Sequence, residues 1–161
     1  MACERPDIQI TATDISPAAL VYAERNRQRY KLEHRVRLVK SDLFEGLEPQ
    51  RFDVISANPP YVTTAEYEAL DGEVRDFEPE LALCSGCDGL ELVRKLITAT
   101  PGYLVPRGRI YLELGWKQAP AVIALLTAAG FTGGEIRRDL AGRDRFVTAV
   151  NALPPATATT D

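Results

Sequence analysis

Phe52-Asp53-Val54-Ile55-Ser56-Ala57-Asn58-Pro59-Pro60-Tyr61 is the stretch on which the reading of the fold turns. Its first six residues are a short apolar run that reads as a buried strand. Two consecutive prolines cannot extend a sheet, since neither has an N–H to donate, and Pro59 steers Asn58 away from the helical region. The strand therefore ends at Asn58. Two fixed φ angles also make the turn stiff, so the Asn58 carboxamide and the Pro59 carbonyl can be held in place at low entropic cost. Asn58 offers one acceptor and two donors, and Tyr61 adds a flat apolar face with a polar tip. Such a turn can grip a planar amide; the plainer alternative is a proline-rich loop after a strand.

Working outward, Ile8 to Thr13 reads as a strand closed by Asp14, and Ser16-Pro17 as a helix start for a helix reaching about Tyr30. The basic end of that helix, Arg25, Arg27, Arg29 and Lys31, suits the C-terminal dipole and reads as a solvated face. Val36 to Lys40 is the second strand, ending at Ser41-Asp42. After the prolines, Val62 to Gly86 has little periodicity and is too long for an idle connection, which marks it as a functional loop. Asp88 is placed to cap a helix from Gly89 to Thr100, broken by Pro101-Gly102. Arg109 to Leu114 is a fourth strand, Gln118 to Ala129 a helix stopped by Gly130, Glu135 to Arg138 a fifth strand and Arg145 to Val150 a sixth, with Asp139 to Asp144 joining the last two as an edge hairpin. Met1 to Asp7 reads as the end of a helix broken by Pro6. Strands alternating with helices predict an α/β fold, mostly parallel, with helices on both faces and an antiparallel edge hairpin. Residues 1–151 form the expected domain and 152–161 a disordered tail.

The chain has 161 residues, 45% hydrophobic and 26% charged, which is an ordinary globular composition for one domain. Its net charge is 19 − 23 = −4, so no overall field draws it to a phosphate backbone. No apolar run approaches the ~20 residues of a bilayer span, and Met1 to Arg5 has no apolar core of a signal peptide, so the setting reads as cytoplasmic, away from membranes. Three cysteines argue against a disulfide framework; Cys84 and Cys87 make a Cys-x-x-Cys, but His34 and Cys3 show no paired spacing with them, and no metal is expected.

In open α/β sheets a ligand sits beyond the carboxyl ends of the strands. Here those ends carry Asp14, Asp42, Asn58 and Glu113. A carboxylate closing a strand can accept both hydroxyls of a ribose, and a second on the next strand can take an adenine amino group. A single Asp at such a place is more often a turn residue; four polar strand ends together favour one shared cleft.

The series Asp14-Ile15-Ser16-Pro17, Ser41-Asp42-Leu43-Phe44, Asn58-Pro59-Pro60-Tyr61, Glu73-Val74-Arg75-Asp76-Phe77-Glu78-Pro79 and Leu112-Glu113-Leu114-Gly115 resembles the class I S-adenosylmethionine-dependent methyltransferases with a Rossmann-like sheet. More narrowly it resembles the HemK or PrmC family, the peptide chain release factor glutamine N5-methyltransferases. The Asn-Pro-Pro-Tyr turn alone is shared with adenine N6 and other amino-group methylases, whereas Glu73 to Pro79 is more specific. The resemblance implies that Asp14 binds the cofactor ribose, that Asp42 and Leu43 flank its adenine, and that Asn58 lies between cofactor and substrate. It further implies that the Asn58 side chain and the Pro59 carbonyl accept hydrogen bonds from the glutamine amide, with Pro60 in the same turn and Tyr61 packed against the amide plane. Glu73, Arg75 and Glu78 would shape the loop over the substrate, or form a solvated charge run.

The family opens with a strand and a glycine-rich turn that this sequence does not show, and Met1 to Asp7 resembles the end of the first helix, just after that turn. The expectation is an N-terminally truncated product or a misassigned gene start, lacking the first strand and leaving two sheet edges exposed, through which the chain could self-associate. Rival readings are a nucleic-acid amino methylase, disfavoured by the acidic balance, and an inactive remnant that only associates with another protein. The expected outcome of calorimetry with S-adenosylmethionine is weak or absent binding by this chain; micromolar binding would overturn it.

Overall fold

The computed structural model describes residues 1–72 and 78–152. The chain forms two compact units, residues 1–50 and 51–161. The predicted tail lies outside the described residues apart from Ala152, as does 73–77 of the stretch Glu73 to Pro79.

In the first unit, β1 (Ile10–Asp14) and β2 (Val36–Lys40) pair in parallel, with Asp14 opposite Lys40. Between them runs α1 (Pro17–Arg29), begun by Ser16, whose Oγ accepts from Ala19 N at 3.3 Å, with Pro17 at its first position. Proline here loses nothing, because its missing N–H would have had no helical partner. The basic end of α1 departs from the expected solvated face: Arg27 Nη1 donates to Val36 O at 3.0 Å and Nη2 to Glu24 at 3.1 Å. Its side chain thus reaches the start of β2, while Arg25 and Arg29 lie over the rings of Tyr22 and Tyr30. Met1 to Asp7 forms turns held by Arg35, whose Nη1 donates to Ala2 O and Arg5 O, each at 2.9 Å.

Among the described residues the second unit holds four strands in the order β3-β4-β6-β5: β3 (Phe52–Ala57), β4 (Leu104–Glu113), β5 (Phe131–Arg138) and β6 (Asp144–Asn151). β3 and β4 are parallel, while β6 runs antiparallel to both β4 and β5. Thus the hairpin at the edge is present, and its second strand is the one that joins the sheet. Among the described residues β1 is hydrogen-bonded only to β2, and β3 only to β4.

The described helices of this unit include α2 (Thr64–Glu68), α3 (Glu80–Leu83), α4 (Glu91–Tyr103) and α5 (Ala119–Ala128). α5 packs on β5 and β6, and α4 on β4 and α5. Val93, Leu96 and Ile97 of α4, Val122 and Leu126 of α5, and Ile110, Leu112 and Val147 of the sheet are buried. Gly134 lets Ile123 approach, since a Cβ there would lie 2.7 Å from the Ile123 Cδ1. Val54, Tyr111 and Phe146 stay exposed, so the expected helical cover of both faces is seen on one face among the described residues of this unit.

Several details differ from the sequence reading: β1 begins at Ile10 and not Ile8, and β5 begins at Phe131 and not Glu135. α4 runs through Pro101 instead of stopping there. The proline lies in the last turn, where its fixed φ suits the helix, and the turn is closed beyond it by Leu104 N donating to Thr100 O. β4 begins at Leu104, because Phe52 pairs with Leu104 and Val54 with Arg109, so the intervening residues bulge outward. Pro106 sits in that bulge, where it interrupts no ladder, and Arg107 takes a φ of 64°. The carbonyls freed by the bulge are taken up by side chains: Arg51 Nη1 donates to Leu104 O at 2.8 Å, and the buried Asn151 Nδ2 donates to Val105 O at 3.3 Å. Finally, Asp88 precedes α4 without capping it by the expected route. Its Oδ1 accepts from Leu90 N at 3.1 Å, while the buried Ser85 Oγ accepts from Leu92 N at 2.8 Å.

No helix of the described residues is long and apolar enough to cross a membrane.

Asn151→Ala strips the buried carbonyls of the bulge of a donor and is expected to cost about 1–3 kcal/mol, read from urea unfolding; an unchanged midpoint would show that the bulge needs no side-chain donor. Asp88 also pairs with Arg94, whose Nη1 donates to Oδ1 at 3.0 Å and whose Nη2 donates to Oδ2. The Arg94 hydrogen bond, helped by the Leu90 amide, pulls the Asp88 carboxyl down from 3.8 to about 2. The folded state therefore binds this proton less readily than the unfolded chain. Its contribution is full above pH ~4 and fades as pH falls toward ~2, reduced by solvent and salt because the pair is exposed. Asp88→Asn should flatten this part of an acid-unfolding curve followed by circular dichroism, and an unaltered curve would contradict the pairing.

Candidate functional site

In the first unit the two residues expected to bind the cofactor stand at the ends of neighbouring strands. Asp14 ends β1, and its carbonyl accepts from Ser41 N at 3.0 Å, which fixes where β2 leaves the sheet. Asp42 comes directly after. Asp14 Oδ1 accepts from Ser16 N at 2.8 Å, so the side chain is oriented by the start of α1 while remaining exposed. Asp42 is exposed as well.

The loop after β2 is wound around Ser41. This buried hydroxyl accepts from Gly46 N at 2.7 Å and donates to Leu43 O at 3.0 Å. Glu45 N reaches Asp42 O at 3.0 Å, closing the turn. Gly46 is required by space, since a Cβ would come within 2.6 Å of Lys40 O. The result is a left-handed backbone at Leu43, φ 47°, a conformation that costs a non-glycine residue about 1–2 kcal/mol. Strain of this kind, held by neighbours, is a mark of functional turns.

In the second unit Ala57 pairs with Leu112, so Asn58 and Glu113 lie at the same end of the sheet. Asn58 is exposed, Pro59 buried, and Pro60 and Tyr61 half-buried. The prolines thus anchor the turn while the carboxamide faces outward. Beyond them, Val62 makes a parallel bridge to Cys84: Val62 N donates to Leu83 O at 2.9 Å and Ser85 N to Val62 O at 3.0 Å. Thr63 and Glu66 form a reciprocal capping box that starts α2. The stretch predicted to be a functional loop is therefore pinned at both ends of its described part.

Tyr61 is the most heavily held residue of the turn. Its carbonyl accepts from Gln118 Nε2 at 3.0 Å. Its hydroxyl accepts from Arg145 Nη1 at 3.3 Å, and the Arg145 guanidinium lies 5.6 Å from the ring centroid. A cation on one face of the ring confines a planar ligand to the other. Arg145 is itself fixed, donating to Leu114 O at 2.9 Å and lying 3.8 Å from Asp139 Oδ2. Asp139, in the turn of the β5-β6 hairpin, is held below the usual carboxylate range by the backbone amides of Arg143 and Ala141 and by the Arg143 charge. Gln118 and Arg145 were not singled out as site residues from sequence. Glutamine at a helix start and arginine at a strand start are ordinary there, and their partners lie far away along the chain.

Residues 1–72 match the Methyltransferase small domain family. A release factor glutamine methyltransferase from Geobacter sulfurreducens is 42% identical over 147 residues, covering 91% of this chain and 51% of that protein. Another from Cereibacter sphaeroides is 44% identical over 156 residues, covering 97% and 55%. The chain spans about half the length of the curated relatives it matches. A crystal structure of a methyltransferase from Pyrococcus furiosus shares the fold, with a TM-score of 0.69 at 23% identity over 95% of this chain and 68% of that one. Over nine-tenths of its own length and about half of theirs, the chain is thus similar to release factor glutamine methyltransferases, and it has a methyltransferase fold.

Proposed function

We propose that this chain carries the substrate-gripping turn of an enzyme that methylates the side-chain nitrogen of a protein glutamine, with S-adenosylmethionine as methyl donor. The glutamine is that of the Gly-Gly-Gln motif of a peptide chain release factor, and a cytoplasmic setting goes with such a substrate. The observation that carries this reading is the contrast within one turn: Pro59 buried and Tyr61 pinned, with the Asn58 carboxamide left exposed.

A carboxamide nitrogen is a poor nucleophile because its lone pair is delocalised into the carbonyl. Catalysis therefore needs placement more than a strong base. Asn58 Oδ1 and the Pro59 carbonyl can each accept one N–H of the substrate amide, fixing the nitrogen and favouring charge that develops on it. Two prolines keep these acceptors from moving apart. Tyr61, with one face taken by Arg145, offers the other to the amide plane.

The donor set at the ends of β1 and β2 suits the cofactor. Asp14, exposed yet oriented by Ser16 N, would accept the ribose hydroxyls. Asp42 would take the adenine amino group, and Leu43, set by its left-handed backbone, would pack beside the base. When bound, the cofactor supplies an electrophilic methyl group on a sulfonium.

A Gly-Gly-Gln peptide is expected to shift the NMR signals of Asn58 and Tyr61, with a Gly-Gly-Glu peptide doing so far less, and, with S-adenosylmethionine at saturating concentration, to receive the methyl group on its glutamine nitrogen. Asn58→Ala should lower turnover by at least about 100-fold. Methylation of an adenine-containing oligonucleotide in preference to the peptide would replace this reading with the nucleic-acid one.

A further inference from the structure

One side chain joins three segments that the sequence separates widely. Gln118 Nε2 donates to Tyr61 O at 3.0 Å, to Asp88 O at 3.3 Å and to Gly89 O at 3.3 Å, while Gln118 Oε1 accepts from Gly115 N at 2.9 Å. Both ends of the carboxamide are thereby committed. Rotating it by half a turn would set its oxygen against three carbonyl oxygens and its N–H groups against a backbone N–H. The network admits a single orientation.

Packing around this amide gives independent support. A Cβ at Gly89 would lie 2.2 Å from Tyr61 O and 2.6 Å from Gln118 Nε2, at a φ of +70°. A Cβ at Gly115 would lie 2.9 Å from Gln118 Oε1 and 3.4 Å from the Tyr61 ring. Two glycines from different loops thus clear space for the same carboxamide and the same tyrosine. Gln118 is further seated by its own backbone, whose N donates to Gly115 O at 2.9 Å and whose carbonyl accepts from Val122 N at 3.0 Å as α5 begins.

The Asn58–Tyr61 turn needs such an outside anchor. Pro59 and Pro60 have no N–H with which to tie it to a neighbouring strand. We propose that Gln118 is the positioning residue of the amide clamp: by holding Tyr61 O against Gly89 and the end of β4, it sets where Asn58 Oδ1 and the Pro59 carbonyl meet the substrate nitrogen. It touches neither substrate nor cofactor and acts through the backbone of the turn. This role rests on the glutamine-methylation reading for its effect on rate, though not for its effect on the turn.

The test is Gln118→Glu, which replaces the donating nitrogen with oxygen at nearly constant volume and keeps the acceptor for Gly115 N. The expected result is a joint shift or broadening of the backbone amide signals of Tyr61, Gly89 and Gly115, with those of Ile110 and Leu112 in place. In methyl transfer to a Gly-Gly-Gln peptide, kcat falls on the order of 100-fold with KM little changed, as displacement of a reacting group demands. Unmoved signals at Tyr61 and Gly89, or an unchanged kcat, overturn the proposal. Should the variant not fold, Gly115→Ala crowds the same carboxamide from the other side: shifts reaching Tyr61 and Gly89 uphold the role, and shifts confined to 114–116 defeat it. If the unaltered protein, saturated with S-adenosylmethionine, transfers no methyl group to the peptide, the glutamine reading fails, and the amide signals still decide whether Gln118 fixes the turn.

Discussion

Two adjacent prolines donate nothing to a sheet, and the second unit is arranged to make up for that. β3 delivers the chain to Asn58 and can offer it no further backbone partner. From there the turn is secured by groups borrowed from elsewhere: the Gln118 carboxamide and the Arg145 guanidinium on Tyr61, and the Cys84 strand bridge on Val62. The holding groups come from the start of α5, the start of β6 and the end of α3. The stiffness of proline supplies local shape, and the distant side chains supply location.

The first unit solves a similar problem with different means. There the exposed Asp14 carboxylate is oriented by Ser16 N, and the loop that carries Asp42 is wound around the buried Ser41 hydroxyl. Leu43 accepts an unfavourable backbone conformation because Ser41 and Gly46 leave it no other route. One unit thus positions polar groups through local turn chemistry, and the other through contacts made across the sheet.

This difference governs how much could be read from sequence. β2 and β3 are found where their apolar runs and turn residues put them, and α1 begins at Ser16-Pro17, because caps, prolines and alternation are local signals. The early start of β4 was hidden by Pro106 and Gly108, which read as breakers unless one knows that Asn151 and Arg51 satisfy the bulge. Pro101 misled for the same reason: whether a proline ends a helix depends on the bond that closes the turn after it. Asn58, Asp14 and Asp42 were visible as polar residues at strand ends, a position with a rule behind it. Gln118 carries no such rule, and only the folded chain reveals what its carboxamide holds.

The anchors of Tyr61 lie 57 and 84 residues further along the chain. Closing loops of that length costs entropy that is repaid only when β4, α5 and β6 are already in place. The clamp is therefore among the last features to become ordered as the chain folds, whether during synthesis or after a local opening. On the proposed reading, competence to hold an amide depends on the folding of the C-terminal half, and a partly folded molecule presents the Asn-Pro-Pro-Tyr sequence without its anchored geometry.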